Sequence, residues 1–359
     1  MTYAGITGWG KCLPHGVLTN ADLASFLDTS DDWIVSRTGI ATRRIADGLL
    51  ADMAEVAAVR ALACAGLEAA DLDLIVFGTT THDDQCPNMA SGLQARLGAG
   101  SCAALDLNTA CTSFLYGLST ATALIRTGVV RNALVVGAER ISPYMDWDDR
   151  NVSVLFGDGA AAVILQATDQ EEGVLLEKLG CYGDAREILR IHGIGGAYVH
   201  HGRLAGVTEW QFEGQEIFKK AVTGMGLACE DVLSRAGIQT QDIDLVVPHQ
   251  ANLRIIEAVA KRAGIEMDRV FVNVHRYGNM SAATVPVALC EALEAGRIKP
   301  HATLLMPAFG GGLTFCAHLV RWGSRTTPLA TTDKDLPPPH RSALEIVLDY
   351  RRARERGVA

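Results

Sequence analysis

Ala65-Gly66-Leu67 followed by Asp71-Leu72-Asp73-Leu74-Ile75-Val76 reads as a helix end, a turn and a buried strand. It returns 171 residues later as Ala236-Gly237-Ile238 followed by Asp242-Ile243-Asp244-Leu245-Val246-Val247. In both copies a glycine stands where a helix closes in the left-handed conformation. Both strands are apolar on both sides, as strands covered on two faces must be. Near the same offset, the helix after Cys111 and the strand Ala133–Val136 answer to the helix after Ser281 and the strand Thr303–Met306. Two related halves in tandem account for spacing that agrees at separate places. The expected organisation is an N-terminal half over 1–170, a second half over 171–323 and an extension over 324–359. Active sites of such α/β folds sit at strand ends where the halves meet.

Outward from the repeat, strands and helices alternate, which predicts a layered α/β fold. Ala161–Leu165 reads as a further buried strand. Residues 51–66, 88–98, 112–127, 215–236, 252–264 and 282–296 read as helices. Past about residue 323 the character changes. Residues 326–340 carry Pro328, Pro337, Pro338 and Pro339, a linker composition. Residues 342–356 read as a solvated helix packing on the body, ending in Arg351, Arg352, Arg354 and Arg356.

Composition narrows the class. The 359 residues are 48% hydrophobic and 20% charged, with a net charge of -9. That apolar fraction excludes general disorder, and the acidic balance argues against nucleic acid as the main partner. No apolar run approaches the roughly 18 to 20 residues of a membrane span, and the first residues lack a signal-peptide layout. A cytoplasmic protein is expected. The 9 cysteines are scattered with no C-x-x-C, so neither zinc nor a disulfide framework is indicated.

One cysteine stands apart. Leu105-Asp106-Leu107-Asn108-Thr109-Ala110-Cys111-Thr112-Ser113-Phe114 ends a strand and opens an amphipathic helix. A thiol at that elbow meets the positive end of the helix, which favours thiolate. His249, in Val247-Pro248-His249-Gln250-Ala251-Asn252, follows a buried strand, and Asn279, in Tyr277-Gly278-Asn279-Met280-Ser281, stands at another strand-to-helix junction. Gly310-Gly311-Gly312 follows the last strong strand, where bare backbone can approach a ligand. Cys, His and Asn at corresponding strand ends make a nucleophile with two hydrogen-bond donors. His192, His200 and His201 fall in a glycine-rich loop without ordered ligand spacing, so no metal is expected.

With these segments in order, the sequence resembles the β-ketoacyl-acyl-carrier-protein synthase III family of the thiolase superfamily. The matching stretches are Asp31-Asp32-Trp33-Ile34-Val35-Ser36-Arg37-Thr38-Gly39-Ile40, the Cys111 elbow, Phe156-Gly157-Asp158-Gly159-Ala160, His249–Asn252, Gly278–Ala283 and Phe309–Gly312. The resemblance implies a five-layered α-β-α-β-α fold of two duplicated halves, and a homodimer. It implies an acyltransferase that condenses an acyl-CoA primer with malonyl-acyl-carrier protein, with loss of CO2, and so starts fatty acid synthesis. No cofactor is implied beyond the coenzyme A thioester.

Carried over by position, Cys111 would be acylated, and His249 and Asn279 would hold the malonyl thioester carbonyl as it becomes an enolate. The backbone N–H groups of Cys111 and Gly311 would form a second oxyanion hole. Phe156 and Phe309 would wall the site against water. Trp33 and Arg37 would sandwich the adenine of coenzyme A with Arg150 beside it, and Asn252 would touch the pantetheine arm. Lys219, Arg254 and Lys261 would dock the acidic carrier protein.

Three departures bear on the substrate. Thr112-Ser113 stands where the family usually has a smaller, glycine-containing pair, the C-terminal extension is long, and Cys86 aligns with the bulky gate that a partner subunit places over the acyl pocket. An open gate predicts medium-chain primers. The competing readings are a secondary-metabolism enzyme using other acyl thioesters and a catalytically silent binding subunit. Head-to-head condensing relatives bring a glutamate near position 86. Here the loop offers Asp83 and Asp84 but no Glu. Retention of Cys111, His249 and Asn279 together argues against the silent subunit.

Overall fold

The computed structural model describes residues 1–204 and 208–355. Its main sheet comprises β1 (Tyr3–Cys12), β2 (Leu74–Gly78), β3 (Ala103–Leu107), β4 (Asn132–Glu139), β5 (Gly159–Thr168), β6 (Gly173–Cys181), β7 (Leu245–Val246), β8 (Thr303–Gly310) and β9 (Thr314–Arg321). Their order across the sheet is β7-β8-β9-β6-β1-β5-β4-β2-β3. The two halves of the sheet meet where β1 and β6 pair in parallel at Ala4 and Gly173.

The principal helices are α1 (Asp31–Thr38), α2 (Leu50–Ala65), α3 (Met89–Leu97), α4 (Ser113–Arg126), α5 (Gly214–Ala236), α6 (Leu253–Ala263), α7 (Thr284–Glu294) and α8 (Ala343–Glu355). Alternation along the strands sorts them into layers. In β2, Leu74 and Val76 face a core shared with Phe114 and Leu118 of α4 and Val285 and Leu289 of α7. Ile75 and Phe77 face the opposite way, onto Met53 and Ala57 of α2 and Leu93 of α3. In the second half, Leu305, Ala317 and Leu319 face α5 and α6. Helices therefore lie outside, between and outside again: five layers, α-β-α-β-α. Side chains such as Leu118, fully buried between strands, are each worth about 2 to 5 kcal/mol against alanine.

The duplication is visible in fine detail. Asp73 accepts the backbone N–H of Asn132 at 3.0 Å, and its counterpart Asp244 accepts that of Thr303 at 2.7 Å. A 3-10 turn over Ala110–Thr112 leads into α4, and one over Ser281–Ala283 leads into α7. Each turn opens on a left-handed non-glycine residue, Ala110 at φ 53° and Ser281 at φ 48°.

The strands β1, β6 and β9 were not marked by the apolar pattern. In β1 the reason is steric: a Cβ on Gly8 would stand 2.3 Å from the Ala61 carbonyl oxygen, and one on Gly10 would stand 2.4 Å from that of Ala57. Contact with α2 leaves no room for the side chains that announce a strand.

The extension is less solvated than its composition suggests. Ala343, Ile346 and Val347 of α8 are buried in the core that holds Leu18, Ile34 and Trp147. Arg351 pairs with Asp148 at 2.6 Å and Arg354 with Asp146 at 2.9 Å. Arg356 lies outside the described residues.

Candidate active site

Both functional turns hang from the layered core, and hydroxyl groups set their shape. Ser113 Oγ donates to the Ala110 carbonyl at 2.7 Å and accepts from the Thr109 N–H at 2.9 Å. Thr112 Oγ1 donates to the Thr109 carbonyl at 2.7 Å. The Thr112-Ser113 pair thus braces the elbow that holds Ala110 in its left-handed conformation. Opposite, a Cβ on Gly310 would stand 2.8 Å from the Cys111 nitrogen, so glycine is what allows the loop after β8 to close on the nucleophile. The N–H groups of Cys111 and Gly311 lie against the Cys111 sulfur.

The resting thiol departs from expectation. Cys111 precedes α4 within the 3-10 turn, and burial pushes its thiol up to about 12, only partly offset by the Ser281 hydroxyl and the two backbone N–H groups. The helix end does not hold a resting thiolate there, because desolvation of a charge outweighs a half-charge dipole. The thiol is neutral, and attack requires that its proton be taken.

His249 follows β7, its backbone N–H bonded to the Pro307 carbonyl at 2.9 Å and its Nδ1 2.5 Å from Thr284 Oγ1. Burial drives its pKa down to about 3, so the imidazole is neutral at pH 7. A neutral ring anchored at Nδ1 presents Nε2 to a ligand. Asn279 Oδ1 accepts the Ser281 N–H at 2.8 Å. That assigns the amide orientation and leaves the NH2 group without a protein partner among the described residues.

Cys111, His249, Asn279, Gly311, Phe156 and Phe309 line one cavity of about 1060 Å³, together with Trp33, Arg37, Asn252, Lys219 and Arg254. Ile141, Leu155, Trp210, Ile217 and Met225 add apolar wall. Trp33 is half-buried, with the Arg37 guanidinium 5.7 Å and that of Arg150 5.1 Å from its ring centre. Arg150 itself is not part of the lining: it is drawn to the Asp28 carbonyl at 2.7 Å. Asn252 caps α6 and donates to the Arg37 carbonyl at 3.2 Å, tying the two walls of the entrance together.

Besides Arg150, two expected residues fall outside. Cys86 is exposed on the loop before α3, away from the cavity of its own chain. Lys261 is exposed on α6 beyond the lining, and Lys219 is paired with Glu216 at 2.7 Å. Asp83 is structural: its carboxylate accepts the N–H groups of Leu50 and Ala51 at 3.1 and 2.9 Å, capping α2. His192 stands 3.6 Å from Glu209, while His200 and His201 are exposed. Sequence reasoning passed over Glu139, Thr284 and Trp210. Of these, Glu139 carried a signal, an acid at the end of a strand otherwise apolar after its first residue.

Known proteins share this arrangement. A family profile described as 3-oxoacyl-[acyl-carrier-protein (ACP)] synthase III matches residues 105–183, and that of the same enzyme's C-terminal part matches 233–322. The chain is 53% identical over 345 residues to a β-ketoacyl-[acyl-carrier-protein] synthase III 2 of Vibrio cholerae, covering 96% of this chain and 95% of the other. It is 46% identical to the β-ketoacyl-[acyl-carrier-protein] synthase III of Roseiflexus castenholzii, covering 90% and 99%. The crystal structure of 3-oxoacyl-[acyl-carrier-protein] synthase III from Aquifex aeolicus superposes with a TM-score of 0.83 at 42% identity, over 89% of this chain and all of that one. A thiol, a neutral imidazole and a free carboxamide gathered at one cavity in a five-layered fold, in a chain this similar, leave one placement: it belongs to the β-ketoacyl-acyl-carrier-protein synthase III family, condensing acyltransferases of fatty acid biosynthesis.

Proposed function

We propose that Cys111 takes the acyl group of an acyl-CoA primer and passes it to malonyl-acyl-carrier protein with loss of CO2, giving 3-oxoacyl-acyl-carrier protein. The observation that carries this reading is the convergence of Cys111, His249 and Asn279 on one cavity. The N–H groups of Cys111 and Gly311 receive the oxyanion of the tetrahedral intermediate in each acyl transfer. With the Thr284 hydroxyl donating to Nδ1, the neutral His249 carries its one proton on Nε2, and that N–H and the Asn279 NH2 receive the malonyl thioester oxygen as charge develops on it. Two neutral donors suit that step, because they stabilise an enolate without protonating it. Phe156 and Phe309 exclude water from the acyl-enzyme.

At the entrance, Trp33 with Arg37 and Arg150 offers a stacking face and cations for the nucleotide of coenzyme A, and Asn252 a polar contact for its arm. Arg254 and Lys261 present positive charge to an acidic carrier protein, with Lys219 contributing once released from Glu216. The volume and apolar wall of the cavity support primers longer than acetyl, with Cys86 of a second subunit as a small gate. Against the head-to-head alternative, the loop near position 86 holds no Glu, and one of its two acids, Asp83, is committed to capping α2. Intact-protein mass spectrometry after incubation with acyl-CoAs of graded length tests the reading. One acyl group per chain on Cys111 supports it, and no adduct with any primer overturns it.

A further inference from the structure

α8 stands beyond residue 322, where the match to the family profile ends, and none of its described residues lines the catalytic cavity. Its first half covers core through Ala343, Ile346 and Val347. Its second half sends two arginines to one segment, residues 144–150, in which Trp147 is buried. Arg354 bonds the Asp146 carboxylate at 2.9 Å and donates to the Thr208 carbonyl at 2.7 Å. Arg351 bonds the Asp148 carboxylate at 2.6 Å, and its guanidinium lies 5.6 Å from the centre of the Phe26 ring.

Each arginine doubles a tie made two residues away. Trp210, two after Thr208, donates its indole N–H at 2.7 Å to the carbonyl of Tyr144, two before Asp146. Arg150, two after Asp148, donates at 2.7 Å to the carbonyl of Asp28, two after Phe26. That second tie keeps the Arg150 guanidinium 5.1 Å from the centre of the Trp33 ring. Taken alone it is weak: Arg150 is 45% exposed and Asp28 fully so, and water competes for both. Arg351 and Arg354 are less exposed, at 31% and 24%, and each joins two separate segments. They also neutralise Asp146 and Asp148, acids on the segment of Arg150 that would otherwise repel the phosphates of coenzyme A.

We propose that α8 braces the coenzyme entrance, Arg351 and Arg354 being positioning residues that hold segment 144–150, and with it Arg150, over Trp33 for the nucleotide of acyl-CoA. This rests on the reading of Trp33, Arg37 and Arg150 as the contacts of that nucleotide. Planar groups held in place before the coenzyme arrives lower the ordering cost of binding it. The effect therefore falls on capture of the thioester and not on the chemistry at Cys111.

The test compares acylation of Cys111 by octanoyl-CoA with acylation by the octanoyl thioester of N-acetylcysteamine, which lacks the nucleotide. Both are read by intact mass against thioester concentration, and coenzyme A itself is titrated by calorimetry. Arg351→Gln combined with Arg354→Gln should raise the half-saturating octanoyl-CoA and the Kd of coenzyme A on the order of tenfold. The maximal rate, and the reaction of the short thioester, should stay as in the unaltered enzyme. Arg351→Lys with Arg354→Lys keeps both charges and should recover most of the loss. Arg354→Gln alone decides should the double variant fail to fold. A folded double variant that binds coenzyme A as before overturns the brace. So does one in which both thioesters lose equally, the mark of a merely structural role. Trp33→Ala tests the reading beneath: it should weaken coenzyme A in the same way. Binding unchanged by Trp33→Ala would show that the corner is not the nucleotide's, and the brace would fall with that reading.

Discussion

Thr112 and Thr314, 202 residues apart in sequence, bring their hydroxyl oxygens to 2.8 Å. Thr112 Oγ1 donates to the Thr109 carbonyl, and Thr314 Oγ1, 2.9 Å from that carbonyl and 3.2 Å from the Gly311 carbonyl, has one proton to share among them and Thr112 Oγ1. The pair thus ties together the two turns that hold the N–H groups of Cys111 and Gly311, proposed above as the acyl oxyanion hole. Thr314→Val should cost about 1 to 3 kcal/mol in urea unfolding, as a buried polar contact is lost, and should slow acylation of Cys111. Thr314→Ser should restore both. A valine variant that acylates at the unaltered rate would separate the pair from the hole.

Replacing Cys111 by alanine should abolish the covalent acyl adduct while malonyl decarboxylation persists, since that step needs only His249 and Asn279. An adduct in the intact mass of Cys111→Ala would move the nucleophile elsewhere.

His249→Ala and Asn279→Ala should leave acylation measurable and reduce decarboxylation about a hundredfold, the roughly 3 kcal/mol of one oxyanion donor. Equal collapse of both half-reactions in a folded variant would contradict this division of labour.

Burial holds His249 and His318 each down to about 3 in the folded protein. The unfolded chain takes up those protons below about pH 6.5 and the folded one does not. The resulting stability is complete above that pH and drains away as pH falls toward 3. Glu139, raised to about 7, works with the opposite sign, favouring the folded state in acid and losing that contribution as pH rises through 7. His318→Gln keeps a polar partner for Ser119 Oγ, which lies 2.7 Å from His318 Nε2. It should flatten the urea midpoint against pH on the acid side. Curves parallel to the unaltered enzyme would show that His318 does not contribute.

Medium-chain acyl-CoAs of about six to ten carbons should acylate Cys111 at least as well as acetyl-CoA, because each methylene buried contributes about 0.8 kcal/mol. With Cys86 of a second subunit as the proposed gate, Cys86→Phe should reverse that order. Competition between acetyl-CoA and octanoyl-CoA measures it, and a strong acetyl preference in the unaltered enzyme would assign the gate to another side chain.

What could be read from sequence was what repeats or what lies on one short segment. The Ala65–Val76 unit and its copy, the Cys111 elbow and the His249 and Asn279 junctions are local patterns, and the structure gathers all three residues. Glu139 and Ser281 are 142 residues apart, and no local pattern pairs them. Arg150 stands over Trp33 and turns to Asp28, a choice made by a backbone carbonyl that leaves no trace in sequence. The burial that pushes the Cys111 thiol up is set by tertiary packing, whereas only the helix end beside it can be read from sequence.

The closing helix has a consequence for synthesis. Leu18, Ile34 and Trp147, which support the Trp33 corner, are translated long before Ile346 and Val347, which complete their cover. On the ribosome this corner remains an open apolar face until residues past 340 emerge. Chaperone contact and co-translational misassembly should therefore concentrate at the Trp33 corner of the molecule.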